Sequence, residues 1–344
     1  MRIGIDLGGT KTEIICLHKE NGKELYRQRV PTQGGDYQAT VRNIKMLVER
    51  AEETLGQEGS VGIGIPGTVS EVTGLVKNAN STMLNGQPLD KDLEEALERP
   101  VRIQNDANCF TVSEATDGAA SGKHTVFGVI IGTGCGGGLV IDGKPLRGLN
   151  GIGGEWGHNP LPYPKSYLPA KGKIPAFFGK HDSQGTGRVL YGEGESGQNL
   201  AYYTDHENLA EWPGPFCYCG RHGCLETWIS GPGFKNDYRR VTGTELSTHD
   251  IIAAAHKGEK DATEALARYM DRLARGLAGV INIFDPDVIV LGGGMSNVTQ
   301  LYKEIPKIWK KYIISDTVET ALLPPRFGDS SGVRGAAWLW NDTV

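Results

Sequence analysis

Arg2-Ile3-Gly4-Ile5-Asp6-Leu7-Gly8-Gly9-Thr10-Lys11-Thr12-Glu13-Ile14-Ile15-Cys16-Leu17 sets two apolar runs around a Gly-Gly-Thr turn. Arg2 to Asp6 reads as a short buried strand and Glu13 to Leu17 as its partner, so the stretch predicts a hairpin whose bare turn amides can wrap a phosphate. No Gly-x-x-x-x-Gly-Lys-Ser/Thr pattern is present here and no helix follows, which excludes a Walker-type loop. The same design returns at Val126 to Ile131, a β-branched strand that runs into Gly132-Thr133-Gly134-Cys135-Gly136-Gly137-Gly138 and then Leu139 to Ile141. Two phosphate hairpins, one per half, predict a duplicated α/β fold with a triphosphate held between the halves. Thr133 and Gly134 are the candidate γ- and β-phosphate contacts of the second.

Both Gly62-Ile63-Gly64-Ile65-Pro66-Gly67 and the run from Gly132 satisfy Gly-x-Gly-x-x-Gly. A dinucleotide fingerprint must open a helix, whereas the first opens a loop and the second a strand, so a nicotinamide-dependent dehydrogenase is excluded. A chain of 344 residues with 49 glycines suits two domains rich in tight turns. The net charge of −5 and the pI of about 5.9 offer no basic field to a nucleic acid or an anionic membrane. No apolar run is long enough to span a bilayer. The strand at Arg2 leaves no room for a signal peptide, and the six cysteines suit a reducing compartment, so the expectation is a cytoplasmic protein.

Further along, Tyr37 to Leu55 places Val41, Ile44, Val48, Ala51 and Leu55 at helical spacing. Gly64 to Gly67 reads as a close backbone wall of a cleft, and Asn80, in the loop after it, as a donor to a substrate hydroxyl. Val101 to Gln104 is a strand that ends in Asn105-Asp106-Ala107-Asn108, ahead of a helix from about Ala107 to Ala119. A carboxylate at the carboxyl end of a strand stands at the mouth of an α/β crevice. Phosphoryl transfer asks for one carboxylate to take a hydroxyl proton while amides and Mg2+ hold the phosphate in line. Asp106 is therefore the candidate general base and Asn105 a hydroxyl partner. An aspartate at its ordinary pKa is ionised at neutral pH, so the chemistry demands no shift.

Gly154-Glu155-Trp156-Gly157-His158 and Cys217-Tyr218-Cys219-Gly220-Arg221-His222-Gly223-Cys224-Leu225-Glu226 form a second constellation. Cysteines crowded at Cys-x-Cys-x-x-x-x-Cys spacing predict a tetrahedral zinc site of Cys217, Cys219 and Cys224, with His158 as the candidate fourth ligand. Glu155 and Glu226 alternate with these ligands. A zinc-clamped loop would hold both carboxylates rigidly enough to grip the hydroxyls of a sugar. Residues 162–215 lie between the two motifs, show neither helical nor strand period, and read as an insertion.

Glu-x-x-His followed by Cys-x-Cys-Gly-x-x-Gly-Cys-x-Glu resembles the ROK family of repressors, open reading frames and sugar kinases, and within it the bacterial fructokinase or manno(fructo)kinase branch. Asp-x-Gly-Gly-Thr-Lys is similar to the first phosphate-binding turn of actin-like ATPases. The resemblance implies an actin-like (ribonuclease H-like) duplicated ATPase fold of two domains with a cleft between them. Residues 1–118 with 330–344 would form the first domain and 119–329 the second. It implies an ATP-dependent kinase acting on the 6-hydroxyl of a hexose, fructose or mannose, with glucose and N-acetylglucosamine as alternatives. Asp106 would be its base, and Gly67, Asn80, Asn105, Glu155, His158 and Glu226 its sugar contacts. Asp6 would lie near Mg2+ and the phosphates. The nucleotide would be lined by Gly4, Ile5, Leu7, Gly8, Gly9, Thr10 and Lys11, by Gly132, Thr133, Gly134, Gly136 and Gly137, and by Gly293 and Gly294 against the adenine. The family also includes sugar-responsive repressors, but those need a helix-turn-helix ahead of the first hairpin, and Asp6 stands six residues from the start. The expected partners are ATP, a hexose and a second copy in a homodimer.

Overall fold

The opening stretch folds as the hairpin its pattern predicts. In the computed structural model, which describes residues 1–32, 35–79, 81–167, 203–204 and 207–340, β1 (Arg2–Leu7) pairs antiparallel with β2 (Lys11–Leu17). The first sheet is completed by β3 (Glu24–Pro31), β4 (Ser60–Ile65) and β7 (Val101–Asn105), in the order β3-β2-β1-β4-β7. A two-stranded hairpin of β5 (Thr68–Val69) and β6 (Val76–Lys77) follows β4. The second sheet contains β8 (Thr125–Ile131), β9 (Cys135–Ile141), β10 (Lys144–Pro145), β13 (Val288–Gly292) and β14 (Ala321–Leu323), in the order β10-β9-β8-β13-β14. In each sheet the hairpin is antiparallel and the next two strands run parallel to its first member. The two sheets are therefore copies of one design, and the fold is the duplicated actin-like one.

Strand β3, largely charged and polar, and the helix α2 (Leu89–Leu97), which buries Leu89, Leu93 and Leu97 at helical spacing, are additions to the expected elements. Helix α1 (Tyr37–Leu55) matches its expected span, begun by Asp36, whose side chain accepts the Ala39 N–H, and ended by Gly56 at φ 64°. It buries Val41, Ile44, Leu47 and Val48 with α2 against Ile3, Ile5 and Ile63 of the first sheet. On the far side of the molecule, α7 (Lys260–Phe284) lays Leu266, Tyr269, Leu273 and Leu277 on Phe127, Val129 and Leu291 of the second sheet.

Between the sheets lie α3 (Asp106–Thr116) and α9 (Ser331–Trp338), and the chain exchanges them. Helix α3 leaves the first sheet and packs on β8 and β9 of the second, while α9 leaves the second sheet and packs on β1 and β4 of the first. Glycine makes this approach possible. A β-carbon on Gly4 or Gly62 would stand 2.1 or 1.9 Å from a backbone oxygen of α9, and one on Gly128 would stand 2.1 Å from the Thr111 hydroxyl of α3. Where the two helices cross, a β-carbon on Gly335 would fall 1.6 Å from the Cys109 carbonyl oxygen. The strand ends of both sheets are thereby fixed relative to one another.

After the second motif come α4 (Glu226–Ile229), α5 (Gly231–Thr242), α6 (Thr248–His256) and α7. Helix α6 has only Ile251 and Ala254 buried, too few to show a stripe. Helix α8 (Gln300–Ile308) ends in a 3-10 turn over Trp309–Lys311. Among the described residues of the insertion, β11 (Ser166–Tyr167) pairs parallel with β12 (Tyr203–Thr204), closing a neck. Arg272 and Arg275 of α7 donate to Glu211 at 2.8 Å each, and Arg275 also donates to the Pro162 and Tyr163 carbonyls. Burial pushes the Glu211 carboxyl up, but the two guanidiniums outweigh it and hold the group down at about 2. The rest of the expected insertion, residues 168–202 and 205–206, lies outside the described residues. No described helix is long and apolar enough to cross a membrane.

Candidate active site

Each sheet carries a hairpin turn at the end of its first antiparallel pair. In the first, the Gly8 N–H donates to the Lys11 carbonyl at 3.0 Å, leaving Gly9, Thr10 and Lys11 exposed. In the second, the Gly132 N–H donates to the Gly134 carbonyl at 3.0 Å. Asp6 ends the cleft-facing side of β1 and pairs across the strands with Glu13, which in turn pairs with Arg29. Arg29 Nε donates to Glu13 at 2.8 Å, so the row runs acid, acid, base. Lost hydration, then the charges of Asp106 and Glu13, push the Asp6 carboxyl from 3.8 up to about 7, with Arg29 opposing. A carboxylate crowded by others is what a cation between it and the phosphates would relieve.

Asp106 is the first residue of α3, and its carboxylate opens into the cleft. Asn105 is the cap, its side-chain oxygen taking the Ala107 and Asn108 N–H groups at 3.0 and 3.3 Å. The Asn105 amide donates to the Gly67 carbonyl at 3.2 Å. Asn105 thus holds the helix start, because a β-strand that runs straight into a helix needs a side chain for the orphan amides. The walls around Asp106 thin out water and push its carboxyl above the ordinary Asp value; the Ala107 amide opposes this and Glu155 adds to it. Gly67 takes φ 81°, with room for no β-carbon against the Lys77 carbonyl oxygen at 2.4 Å.

The second constellation also assembles. Leu225 N–H donates to the Asn159 carbonyl at 2.8 Å and Glu226 N–H to the Gly157 carbonyl at 2.9 Å, so residues 157–161 and 223–226 run side by side. This pairing brings His158 to the cysteines. The four ligand atoms of His158, Cys217, Cys219 and Cys224 all lie within 4.8 Å of one another. Cys219 and Cys224 sulfurs are 3.6 Å apart, and His158 Nδ1 is 3.6 Å from Cys217 Sγ. A zinc tetrahedron with metal–sulfur bonds of about 2.3 Å has edges of about 3.8 Å, so the donor set and its spacing fit the ion. On the cleft side of this loop stand the two carboxylates. Glu226 Oε2 accepts the Cys135 N–H at 2.9 Å, tying the loop to the second phosphate turn. Burial pushes Glu155 up, and it feels both His158 and Glu226.

A cavity of about 950 Å³ extends from Ile131, Gly132 and Thr133 toward the first turns of α5 and α6. The Gly231 N–H at the start of α5 donates to the Gly132 carbonyl at 2.9 Å. Ser230 and Ser247 cap the two helices, and Lys235, Asn236, Thr248 and Gly294 line the space between them. Gly293 and Gly294 are expected beside the base; the two helix starts are an addition to the expected site. Their signal was the Ser-Gly-Pro-Gly run at Ser230, a helix-opening signature beside a phosphate turn.

Several expectations are corrected by the packing. Gly4 lies beneath α9, and Ile5 and Leu7 are 0% and 2% exposed in the core, so none of the three lines the nucleotide. Gly137 is buried under Gly154 and Trp156. Gly64 backs onto the Cys109 sulfur, not the cleft. Gly293, at φ 77°, turns its α-carbon onto the Ile131 carbonyl, and it is Gly294 whose face is open. Gly136 stays half-buried, its carbonyl accepting the Trp156 indole N–H at 3.1 Å. Asn80 lies outside the described residues.

With Asp6, Asp106, Glu155, Glu226 and a Cys3His cluster in one cleft, the comparisons with known proteins become specific. The model of the ROK family matches residues 2–343. The chain belongs to the ROK family. It is 38% identical over 339 residues to a protein of Aliivibrio salmonicida called N-acetyl-D-glucosamine kinase, covering 98% of this chain and 99% of the relative. It is 36% identical over 344 residues to a protein of the same name from Haemophilus influenzae, covering 99% of each. Among solved structures, the ROK hexokinase of Thermus thermophilus superposes with a TM-score of 0.75 at 28% identity, covering 98% of this chain and 96% of that one. The protein is a ROK sugar kinase. The expected closeness to fructokinases finds no support in these relatives, which point to the N-acetylglucosamine alternative.

Proposed function

We propose that this ROK kinase transfers the γ-phosphate of ATP to the 6-hydroxyl of N-acetylglucosamine. The observation that carries the chemistry is the place of Asp106, at a helix start between the first phosphate hairpin and the Glu155, His158, Glu226 row. The sugar rests on the shared name of relatives that match over nearly the whole chain.

In this reading the triphosphate lies on the turn amides of Gly9 to Lys11 and of Thr133 and Gly134, with the base in the cavity beside Gly294. Mg2+ when bound would neutralise the phosphate oxygens, with Asp6 as its protein partner. Asp106 accepts the proton of the 6-hydroxyl as that oxygen attacks the γ-phosphorus and ADP leaves. Glu155 and Glu226 accept from the other sugar hydroxyls and fix the ring, which supplies the orientation on which in-line transfer depends. His158, Cys217, Cys219 and Cys224 would hold zinc as a staple, without a part in the transfer.

Labelled ATP offered with N-acetylglucosamine, glucose, mannose and fructose tests this directly. The expected result is the highest kcat/KM on N-acetylglucosamine, with the label on the 6-oxygen. A higher value on fructose or mannose overturns the substrate.

A further inference from the structure

Thr32 lies just beyond the end of β3. Its hydroxyl donates to the Gly8 carbonyl at 2.8 Å, and its N–H donates to the Thr10 carbonyl at 2.9 Å. One residue therefore holds the two carbonyls that flank Gly9, at the turn of the first hairpin. The Thr32 hydroxyl oxygen also lies 2.9 Å from that of Thr12, which is fully buried. A hydroxyl has a single proton, and Thr32 spends its own on Gly8, so Thr12 is the donor of that pair. The result is a directed chain from Thr12 through Thr32 to the Gly8 carbonyl.

The direction of those carbonyls sets the direction of the amides. A peptide unit is planar and trans, so its C=O and N–H point opposite ways. With the Gly8 carbonyl drawn onto Thr32, the Gly9 N–H points away from Thr32; with the Thr10 carbonyl drawn the same way, so does the Lys11 N–H. Gly9, Thr10 and Lys11 are exposed, and no described backbone carbonyl takes the Gly9 N–H. The peptide between Gly8 and Gly9 has glycine on both sides, which offers little steric resistance to a flip. Flipped, it would place a carbonyl where an anion needs an amide. The Thr32 hydroxyl is what holds it in the other sense.

We propose that Thr32 is a positioning residue for the nucleotide: it fixes the peptide between Gly8 and Gly9 so that the Gly9 and Lys11 amides are presented to phosphate oxygens. This rests on the reading of the first turn as a phosphate cradle. Thr32 touches no substrate and acts through the turn. Amides held in place beforehand need no ordering when the anion arrives, which is the advantage over a loose glycine turn. The sugar contacts proposed above stand on other elements, so the effect falls on the nucleotide alone.

The test measures MgATP affinity by calorimetry without sugar, and the KM of the hexose that wild type turns over fastest, for Thr32→Val, Thr32→Ser and Gly9→Val. Valine keeps the branched shape and the N–H and removes only the hydroxyl. Thr32→Val should weaken MgATP binding about tenfold, the loss of one good hydrogen bond, with the sugar KM unchanged, and Thr32→Ser should restore wild-type affinity. Thermal unfolding checks the fold of each, and the double variant Thr12→Val with Thr32→Val, which orphans no hydroxyl, replaces Thr32→Val if that protein is unstable. Equal losses for both ligands, or a serine variant as weak as the valine one, overturn the role of Thr32. Gly9→Val separates the proposal from its basis: a β-carbon there meets only Ser81 Oγ, at 3.3 Å, so the added side chain fills the open side of the turn. If Gly9→Val weakens MgATP binding and Thr32→Val does not, Thr32 alone is overturned; if neither does, the first turn does not hold phosphate and that reading fails together with the proposal.

Discussion

Replacing Asp6 with asparagine should stabilise the protein in the absence of Mg2+ and nucleotide, and the gain should grow with pH. Asp6 loses hydration in the cleft and faces Asp106 and Glu13, which together push its carboxyl from 3.8 up to about 7. The unfolded chain holds the same group near its ordinary value. Between those two points the folded protein binds the extra proton, so stability falls as pH rises through the window and the loss is complete above it. At about 1.36 kcal/mol per unit, a rise of about three units sets a ceiling near 4 kcal/mol. Relaxation of the cleft and residual water reduce this to about 2 to 4 kcal/mol. Asparagine copies the shape of the protonated acid and does not titrate. Asp6→Asn should therefore match wild type at pH 4 and exceed it at pH 8 by that amount. For a chain of 344 residues this is a Tm difference of about 3 to 6 °C. Thermal unfolding of both proteins at pH 5, 6.5 and 8 reads the effect. Adding Mg2+ with ATP should narrow the gap, because a cation beside Asp6 removes the repulsion only in wild type. A gap of constant size across pH, or a variant less stable at pH 8, refutes the reasoning.

Two further outcomes follow from the cleft. Gly294→Val meets open space, since nothing lies within 4 Å of a β-carbon there. It should leave Tm within about 1 °C, as surface changes do, yet raise KM for ATP about tenfold or more by filling the space of the base; an unchanged KM removes Gly294 from the nucleotide. Cys219→Ser should drop bound zinc from about one per chain toward none and lower Tm steeply, because a structural zinc contributes on the order of 10 kcal/mol. Metal analysis with a melting curve checks both, and full zinc retention with normal stability contradicts the four-ligand site.

The duplicated architecture was legible because each half writes its own hairpin: the strand, Gly-Thr turn, strand pattern at Arg2 and again at Val126 became the corresponding strands of two identically ordered sheets. The metal-like loop was legible for a similar reason, since three cysteines with glycines between them admit few foldings, and Gly220 and Gly223 do take φ of 86° and 72°. What stayed hidden depends on distant pairings. Gly4 and Gly128 read as ordinary members of two apolar strands, and only the exchange of α3 and α9 shows that they are floors for a helix. Asn105 reads as a ligand because its sequence neighbour is the base, while the cap role follows from where the helix begins. Alternating charge on β3 gave no hint that Arg27 and Arg29 both turn onto Glu13. The fructose expectation leaned on resemblance, for no residue on its own distinguishes one hexose edge from another.

The central claim is that Asp106 takes the hydroxyl proton, and single-turnover phosphoryl transfer by Asp106→Asn tests it most directly. Sugar affinity should change by less than about threefold, since the glutamates hold the ring, while the transfer rate should fall about a thousandfold or more, the loss of general-base catalysis. In wild type the acid limb of kcat/KM should lie above the ordinary aspartate value of 3.8, because its surroundings raise the Asp106 carboxyl. A transfer rate within tenfold of wild type would contradict the account.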